Sequence, residues 1–542
     1  MSPRVRVLSI LTLLLPFWIA TAVNSSAQVP TCNGLAATIT GAGTINGTAG
    51  NDVIVGSSRN DTITGNGGFD TVCALDGKDN INLAGGTGSW VDAGIGNDDV
   101  TASPGADVLF GDEGNDKLRG EDGNDEIHGG VGDDSPAGGD DNDTLYGDEG
   151  DDKITTGDGE DDAWGADGRD RMYGEDGNDD LHGEEGDDSL SANAGEDRLW
   201  GDEGIDKLVC GSENDQVWGG IGEDRMYGEG GDDELRGEDG NDYLSGSAGN
   251  DVLIGGGHDD EIQGSTGDDW IGTTSLETAI NNEPGHDVID AGPDNDNVYA
   301  GSGNDHVVAG SGNDVVYGRS GTDTLIGGSG EDALYGEAGN DRLGHDAADT
   351  AIDADSGDDY MNGGANDDYI YGGSGEDMIL GDTGNDVLIG DFDNSGALAA
   401  SGDVIQGGDG NDALYGQGLS GTRTETAHNQ LYGGDNNDVL VAGPAGDDMY
   451  PDAGDDQVFG SDAADAIYGD GGGNDVVQLE GGDDTFYFET SALGEMTVFG
   501  DEGNDRILSG NSDDELHGGP GNDQIIGRGG NDMIYGGEGE DT

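Results

Sequence analysis

Residues Gly111–Gly130 read GDEGNDKLRGEDGNDEIHGG. Asp116 and Asp125 stand nine positions apart in near-identical company. Each closes a Gly-x-x-Gly-Asn-Asp run, and two positions later comes an apolar residue, Leu118 and then Ile127. Stepping outward by nine, every position from Asp98 to Asp269 is Asp. The same phase continues to Asp386, with Thr278 and Thr350 as the only exceptions. Shorter phased blocks run Asp52–Asp79, Asp438–Asp465 and Asp505–Asp541. A period held over this length marks a repeat architecture, not acidic low complexity.

The apolar partner keeps the same phase through Leu109, Leu145, Ile154, Met172, Leu181 and beyond, with Pro136 and Ala163 as departures. One inward apolar residue between two polar ones is the pattern of a very short strand with one buried face. The intervening glycines suit turns that need φ > 0, and each would cost a helix interior about 1 kcal/mol. A nonamer is then half a coil, and two nonamers complete one turn of a flattened solenoid.

The units GGVGDD (Gly129–Asp134), GGSGED (Gly327–Asp332) and GGPGND (Gly518–Asp523) resemble the hemolysin-type (RTX) calcium-binding nonapeptide, Gly-Gly-x-Gly-x-Asp-x-apolar-x. The resemblance implies an all-β fold, a right-handed parallel β-roll of Gly/Asp-rich repeats with short loop insertions, holding multiple Ca²⁺ ions between successive turns. Ca²⁺ is a hard cation that takes roughly six to eight oxygens from carboxylates and carbonyls. Residues eighteen apart should stack one rung apart, so Asp116 and Asp134 share one column and Asp125 and Asp143 the other. Expected ligands in the first part of the chain are Asp116, Asp125, Asp134, Asp143, Asp152, Asp161, Asp170, Asp179, Asp188, Asp206, Asp224, Asp233, Asp242, Asp251 and Asp269. Further on they are Asp305, Asp314, Asp332, Asp341, Asp377, Asp386, Asp412, Asp505, Asp523 and Asp532. The second glycine is often acidic (Asp112, Glu121, Asp148, Glu175, Glu184, Asp202, Glu229, Glu238). Such a residue either attracts calcium or supplies surface charge.

Composition points the same way. Among 542 residues, 119 Asp and Glu face 18 Lys and Arg, for a formal charge of −101. Self-repulsion on that scale opposes compaction, so the partner implied is cationic, and a nucleic-acid partner is excluded for want of a basic patch. Arg4 and Arg6 before the apolar run Val7–Ala20, with small residues at Ser25 and Ala27, read as a signal peptide over 1–27. The run is short and interrupted by Pro16, so no membrane span is expected after cleavage and the mature chain is expected to be secreted. An oxidising compartment favours a Cys32–Cys73 disulfide with Cys210 free. The alternative is three unpaired cysteines, since sequence does not fix connectivity.

The expected organisation is a lead-in over 28–50, a first repeat block over 51–97, the main roll over 98–389, and further repeats with insertions over 390–542. Phase breaks fall between Asp79 and Asp98, around Thr273–Glu283, at Phe392–Ser401, at Gln417–Leu431 and at Phe486–Gly500. A break at Pro136 is expected to weaken the rung at 134–142, because proline gives no N–H to a ladder. Tyr146, Trp164, His182, Trp200 and Trp218 recur every eighteen residues, as do Tyr299, Tyr317, Tyr335 and Tyr371 with Asp353 in the gap. These columns are either a stacking ladder or a platform for a glycan. No His-Glu-x-x-His and no Gly-x-Ser-x-Gly occurs, so no protease or lipase is expected. After Asp541, itself in register, only Thr542 follows. The repeats therefore run to the last residue, and export through the general secretory route is expected. The reading is a secreted, non-enzymatic calcium-binding repeat protein, structural or adhesive. The alternatives are a polysaccharide or cell-envelope binding module, another protein as partner, and an enzyme with its site in the insertions.

Overall fold

The computed structural model describes residues 29–272, 285–344, 357–391, 402–417, 428–469, 472–488 and 494–542. The expected signal peptide and most of the insertions after residue 272 lie outside the described residues. Each nonamer supplies one short strand, as in Val108–Glu113, Lys117–Asp122, Glu126–Val131, Ser135–Asp140 and Thr144–Glu149. A strand pairs in parallel with the next but one: Leu109 with Ile127, Ile127 with Leu145, and Leu118 with Pro136. Two parallel sheets therefore lie face to face, and no helix occurs among the described residues. One fully buried apolar side chain per strand fills the space between them, forming a single continuous core.

The amino-terminal residues join this roll early. An antiparallel pair, Thr31–Cys32 with Leu35–Ala36, precedes Ile39–Thr40 and Thr44–Asn46, which pair with Val53–Val55 and Thr62–Thr64 in the two sheets. Cys32 and Cys73 are joined, with Cα atoms 5.7 Å apart, beside Val55 in a small separate cluster. Cys210 is buried and carries no disulfide.

The break between Asp79 and Asp98 proves to be one extra residue in a coil, since Asn80 pairs with Asp99. Pro136 keeps its inward place, but the ladder to the following coil begins only at Ala137–Thr155. Neighbouring ladders begin two residues earlier, as at Lys153–Arg171. The rung survives with two register pairs missing.

One expectation needs correction. The eighteen-residue stacking rule fails where the sequence phase itself continues. Ile262 pairs with Ile289 and Leu334 with Met361, each twenty-seven residues on. Each of these steps is nine residues longer than the others, and Thr278 and Thr350 lie outside the described residues. Because one nonamer is half a coil, every later residue changes sheets. Tyr335 consequently neighbours Asn362, whereas Tyr371 lies in the opposite sheet beside Ile389. Tyr371 is not part of the tyrosine column.

Candidate metal centre

The register aspartate stands immediately before its strand, as Asp116 before Lys117–Asp122, and its side chain is buried. Its Oδ1 accepts a hydrogen bond from the backbone N–H of the equivalent aspartate one coil earlier. Asp134 accepts from Asp116 at 2.6 Å, Asp143 from Asp125 at 2.8 Å and Asp197 from Asp179 at 2.8 Å. Two continuous columns result. One passes through Asp116, Asp134, Asp152, Asp170, Asp188, Asp206, Asp224, Asp242 and Asp260. It then skips to Asp287 and goes on through Asp305, Asp323, Asp341, Asp368, Asp386 and Asp412. The other holds Asp125, Asp143, Asp161, Asp179, Asp197, Asp215, Asp233, Asp251 and Asp269. It skips to Asp296 and continues through Asp314, Asp332, Asp359, Asp377 and Asp403.

All the expected aspartates therefore fall on the two columns. Asp505, Asp523 and Asp532 occupy the same places near the carboxyl end, although Asp532 is less buried than the rest. The expected ligands left out in-phase aspartates that also lie on the columns, among them Asp197, Asp215, Asp260, Asp287, Asp296, Asp323, Asp359 and Asp368. They also left out Asp403, Asp475 and Asp484, which are off the nine-residue phase yet occupy column positions. Their signal was local: an apolar residue two positions on, as in Asp403-Val-Ile405. Among the described residues, some column positions carry a substitute. Ser89 donates to Asp107, Asn429 follows Asp403, and Met496 precedes Asp514.

The second carboxylate oxygen carries the chemistry. Oδ2 is buried without a hydrogen-bond partner at Asp116, Asp134, Asp179, Asp206, Asp305, Asp386 and many other column positions. Leaving a buried acceptor unmet is costly, more so when it is charged. The residue five before the aspartate, usually glycine but Thr156 before Asp161 and Ala300 before Asp305, makes the room. A Cβ at Gly129 would sit 2.5 Å from the Gly147 carbonyl oxygen and 2.7 Å from Asp134 Oδ2. At Gly201 the same two distances, to Gly219 O and Asp206 Oδ2, are both 2.5 Å. A carboxylate oxygen and a carbonyl oxygen of the next coil thus converge within the span of one calcium ion, whose Ca–O distances run roughly 2.3–2.6 Å. Among the described residues no three His, Cys, Asp or Glu side chains converge on one point. A cation here must draw most of its shell from carbonyls, which fits a hard, oxygen-seeking ion.

Burial raises the pKa of these carboxyls, most strongly where neighbouring coils add negative charge. Asp125, Asp179 and Asp206 are pushed up to about 8, Asp134 and Asp170 to about 7. The N–H donor from the preceding coil opposes the rise in each case. A stack of bare carboxylates is disfavoured, and a divalent cation between coils relieves both burial and repulsion.

A second polar ladder runs outside the first, and sequence reasoning missed it. The Asn or Asp immediately before the register aspartate accepts from the N–H one coil later: Asn178 from Glu196 at 2.9 Å, Asp232 from Asn250 at 2.8 Å. The signal was the recurrent Asn-Asp and Asp-Asp pair. The acidic residues in the second-glycine position take φ of 69–80°, from Asp202 to Glu121. Most of them are exposed, and they lie off the buried columns.

The aromatic column is longer than its sequence series. Phe110, His128, Tyr146, Trp164, His182, Trp200 and Trp218 stack with centroids 4.2–5.4 Å apart and planes within 11°. Trp270, Tyr299, Tyr317 and Tyr335 form a second run on the same sheet.

The family model for the RTX calcium-binding nonapeptide repeat (4 copies) matches in adjoining segments from 46–81 through 101–136, 137–172 and 173–208 to 508–542. These cover most of the chain, which therefore belongs to that family and is a calcium-binding repeat protein. No curated protein matches the chain. Among the solved structures that the chain matches is the X-ray crystal structure of a hyperactive, Ca2+-dependent, beta-helical antifreeze protein from an Antarctic bacterium. It is 16% identical over 89% of this chain and 84% of that one, with a TM-score of 0.10.

Proposed function

We propose that this RTX repeat chain is an exported structural element, in which calcium is held between coils by the register aspartates and the carbonyls of the glycine turns. The observation that carries this reading is the orphaned, buried Oδ2 beside a carbonyl of the next coil, repeated along both columns. A site that exists only when coils are stacked cannot form in the unfolded chain, so binding free energy becomes folding free energy. Export rests on the basic and apolar run before Ala27 and on the Cys32–Cys73 bond, which an oxidising compartment maintains. A structural role fits a roll whose described part is occupied by repeats, with no His-Glu-x-x-His or Gly-x-Ser-x-Gly in the sequence. A glycan platform on the aromatic column is less well supported, because stacked neighbours cover the ring faces and leave edges to solvent. Equilibrium dialysis with calcium tests the assignment. Many ions per chain, falling when register aspartates are replaced in pairs, is the expected result. A handful of ions per chain, indifferent to those replacements, refutes it.

A further inference from the structure

The outer faces of the two sheets carry opposite charge on the same rungs. Residues directly after the register aspartates point outward. On one sheet these include Lys117, Lys153, Arg171, Lys207 and Arg225, all exposed. Ser135 and Ser189 fill the rungs between them. Two residues further along each strand, the outward column holds Arg119, Ala137, Thr155, Tyr173, Ser191, Val209 and Tyr227. These two outward columns therefore bear no carboxylate over seven rungs, in a chain of net charge −101, and the exposed acids of the same strands, such as Asp122, Asp140 and Asp158, stand at the strand ends. None of the five cations forms an ion pair among the described residues. Lys153 and Lys207 lie 5.2 and 5.6 Å from the centroids of Tyr173 and Tyr227.

The opposite sheet carries Glu126, Asp162, Asp180 and Glu234 in the corresponding column. Numbered from Lys117 and from Glu126, the cations occupy rungs one, three, four, six and seven. The acids occupy rungs one, three, four and seven. Arg198 holds rung five of the acidic column, where the cationic column has Ser189, and Gln216 stands opposite Lys207. We propose that the cationic face of one roll docks on the acidic face of a second copy of this chain, with axes parallel and rungs aligned. In that register four pairs of opposite charge meet and no like charges do. A shift of one rung sets Arg171 or Lys207 against Arg198 and leaves at most two favourable pairs. Reversing the axis sets Lys153 against Arg198. A lateral slide brings the two columns over each other without altering the rungs.

Such an interface is heterologous: a docked pair keeps one unused face of each sign, so the assembly extends as a row of rolls and does not close. Exposed pairs are individually weak and screened by salt. Asp180 and Glu234 must also exchange their present partners Arg198 and Arg236. Association is therefore expected to be concentration-dependent and lost at high ionic strength. The inference rests on the calcium-folded roll and adds a partner to the structural role proposed above.

The test is sedimentation velocity on the full mature chain in saturating calcium, with circular dichroism on the same samples. Wild type should assemble at low ionic strength and dissociate at high. Lys153→Glu with Arg171→Glu makes both faces acidic on those rungs. Asp162→Lys with Asp180→Lys makes both basic. Each double variant alone should weaken association about tenfold or more, since like charges then meet. An equimolar mixture should recover it, because each variant supplies the face the other lacks. A monomeric wild type that shows the calcium-folded spectrum overturns the inference while leaving calcium-coupled folding intact. So do variants that assemble alone as wild type does. Should a variant fail to give the folded spectrum, a carbodiimide cross-link in wild type decides. Lys153 and Asp162 lie on opposite faces of one roll, so an isopeptide between them forms only between copies, and its absence overturns the proposal.

Discussion

The coils over residues 98–272 and those over 285–542 are built from the same nonamer and differ in regularity. In the first region the columns advance by eighteen residues at each step, from Asp98 to Asp260 and from Asp107 to Asp269. In the second, steps of twenty-seven, twenty-six, nineteen and twenty-one residues occur, as at Asp332–Asp359, Asp386–Asp412, Asp456–Asp475 and Asp484–Asp505. Asn429 and Met496 there stand in for aspartate. The rungs themselves persist across each long step, so strand pairing and the inward carboxylate matter more to the architecture than coil length. Loop closure explains the tolerance: even doubling a loop costs only about 0.6 kcal/mol. The irregular region is expected to hold its calcium less cooperatively, because a column interrupted by a neutral side chain divides into shorter ones.

Acidification should erase most of the difference between the regions. In the metal-free roll the carboxyls at Asp125, Asp179 and Asp206 lie at about 8, against about 4 for an unfolded aspartate. The folded state therefore binds more protons than the unfolded state between those values. The resulting stability is fully present below about pH 4 and lost as pH rises through 6 to 8. Without calcium, circular dichroism should show β structure gained on lowering the pH from 8 towards 4. A spectrum that stays coil-like throughout contradicts the burial of these groups.

A defect placed in the regular region should make it behave like the irregular one. Asp179→Ala removes the Oδ1 that accepts from the Asp161 N–H at 3.0 Å, while the Asp179 N–H still donates to Asp197. A hydrogen bond to a charged group is worth about 1.5–3 kcal/mol, so the calcium midpoint should rise several-fold. Hydrogen exchange should accelerate in the coils around Asp161 and Asp197 and nowhere else. Asp176, exposed and off the column, serves as control. Equal shifts for Asp176→Ala and Asp179→Ala would mean the columns are misassigned.

Repairing the irregular region should do the reverse. Asn429→Asp completes the column between Asp403 and Asp447 with almost no change of shape. It should destabilise the metal-free chain and stabilise the calcium-bound one by about 1–2 kcal/mol each way. Opposite signs with and without calcium, read from thermal melts, identify a ligand position. The same sign in both conditions identifies an ordinary polar contact.

The smallest effect concerns the turns. Glu184 has φ of 74°, where a residue with a Cβ is strained by about 1 kcal/mol or more. Glu184→Gly should raise the stability of the calcium-bound roll by about that amount without changing calcium stoichiometry, as measured by melting and dialysis. A fall in stoichiometry would give this carboxylate a direct part in binding.

Most of the fold was legible because two periods coincide: nine for the chemistry and two for the strand. Leu109, Leu118 and Ile127 are apolar where the pleat faces inward, and Asp116 and Asp125 are acidic where the turn delivers the chain to the next strand. Column membership beyond Thr278 was not legible. A step of twenty-seven residues keeps the sequence phase intact while exchanging the two sheets, as Tyr371 shows. The outer ladder of Asn178 and Asp232 was visible as a recurrent dipeptide. Its role depends on which N–H lies one coil away, and only the stacked structure supplies that.

The central claim is that calcium binding and formation of the roll are one event. A calcium titration of the mature chain, followed together by far-ultraviolet circular dichroism and by hydrodynamic radius, tests it most directly. With calcium chelated at neutral pH the chain should be expanded and coil-like, and both signals should change over the same range of calcium to a compact β form. A compact β spectrum that persists unchanged in chelator at neutral pH would contradict it.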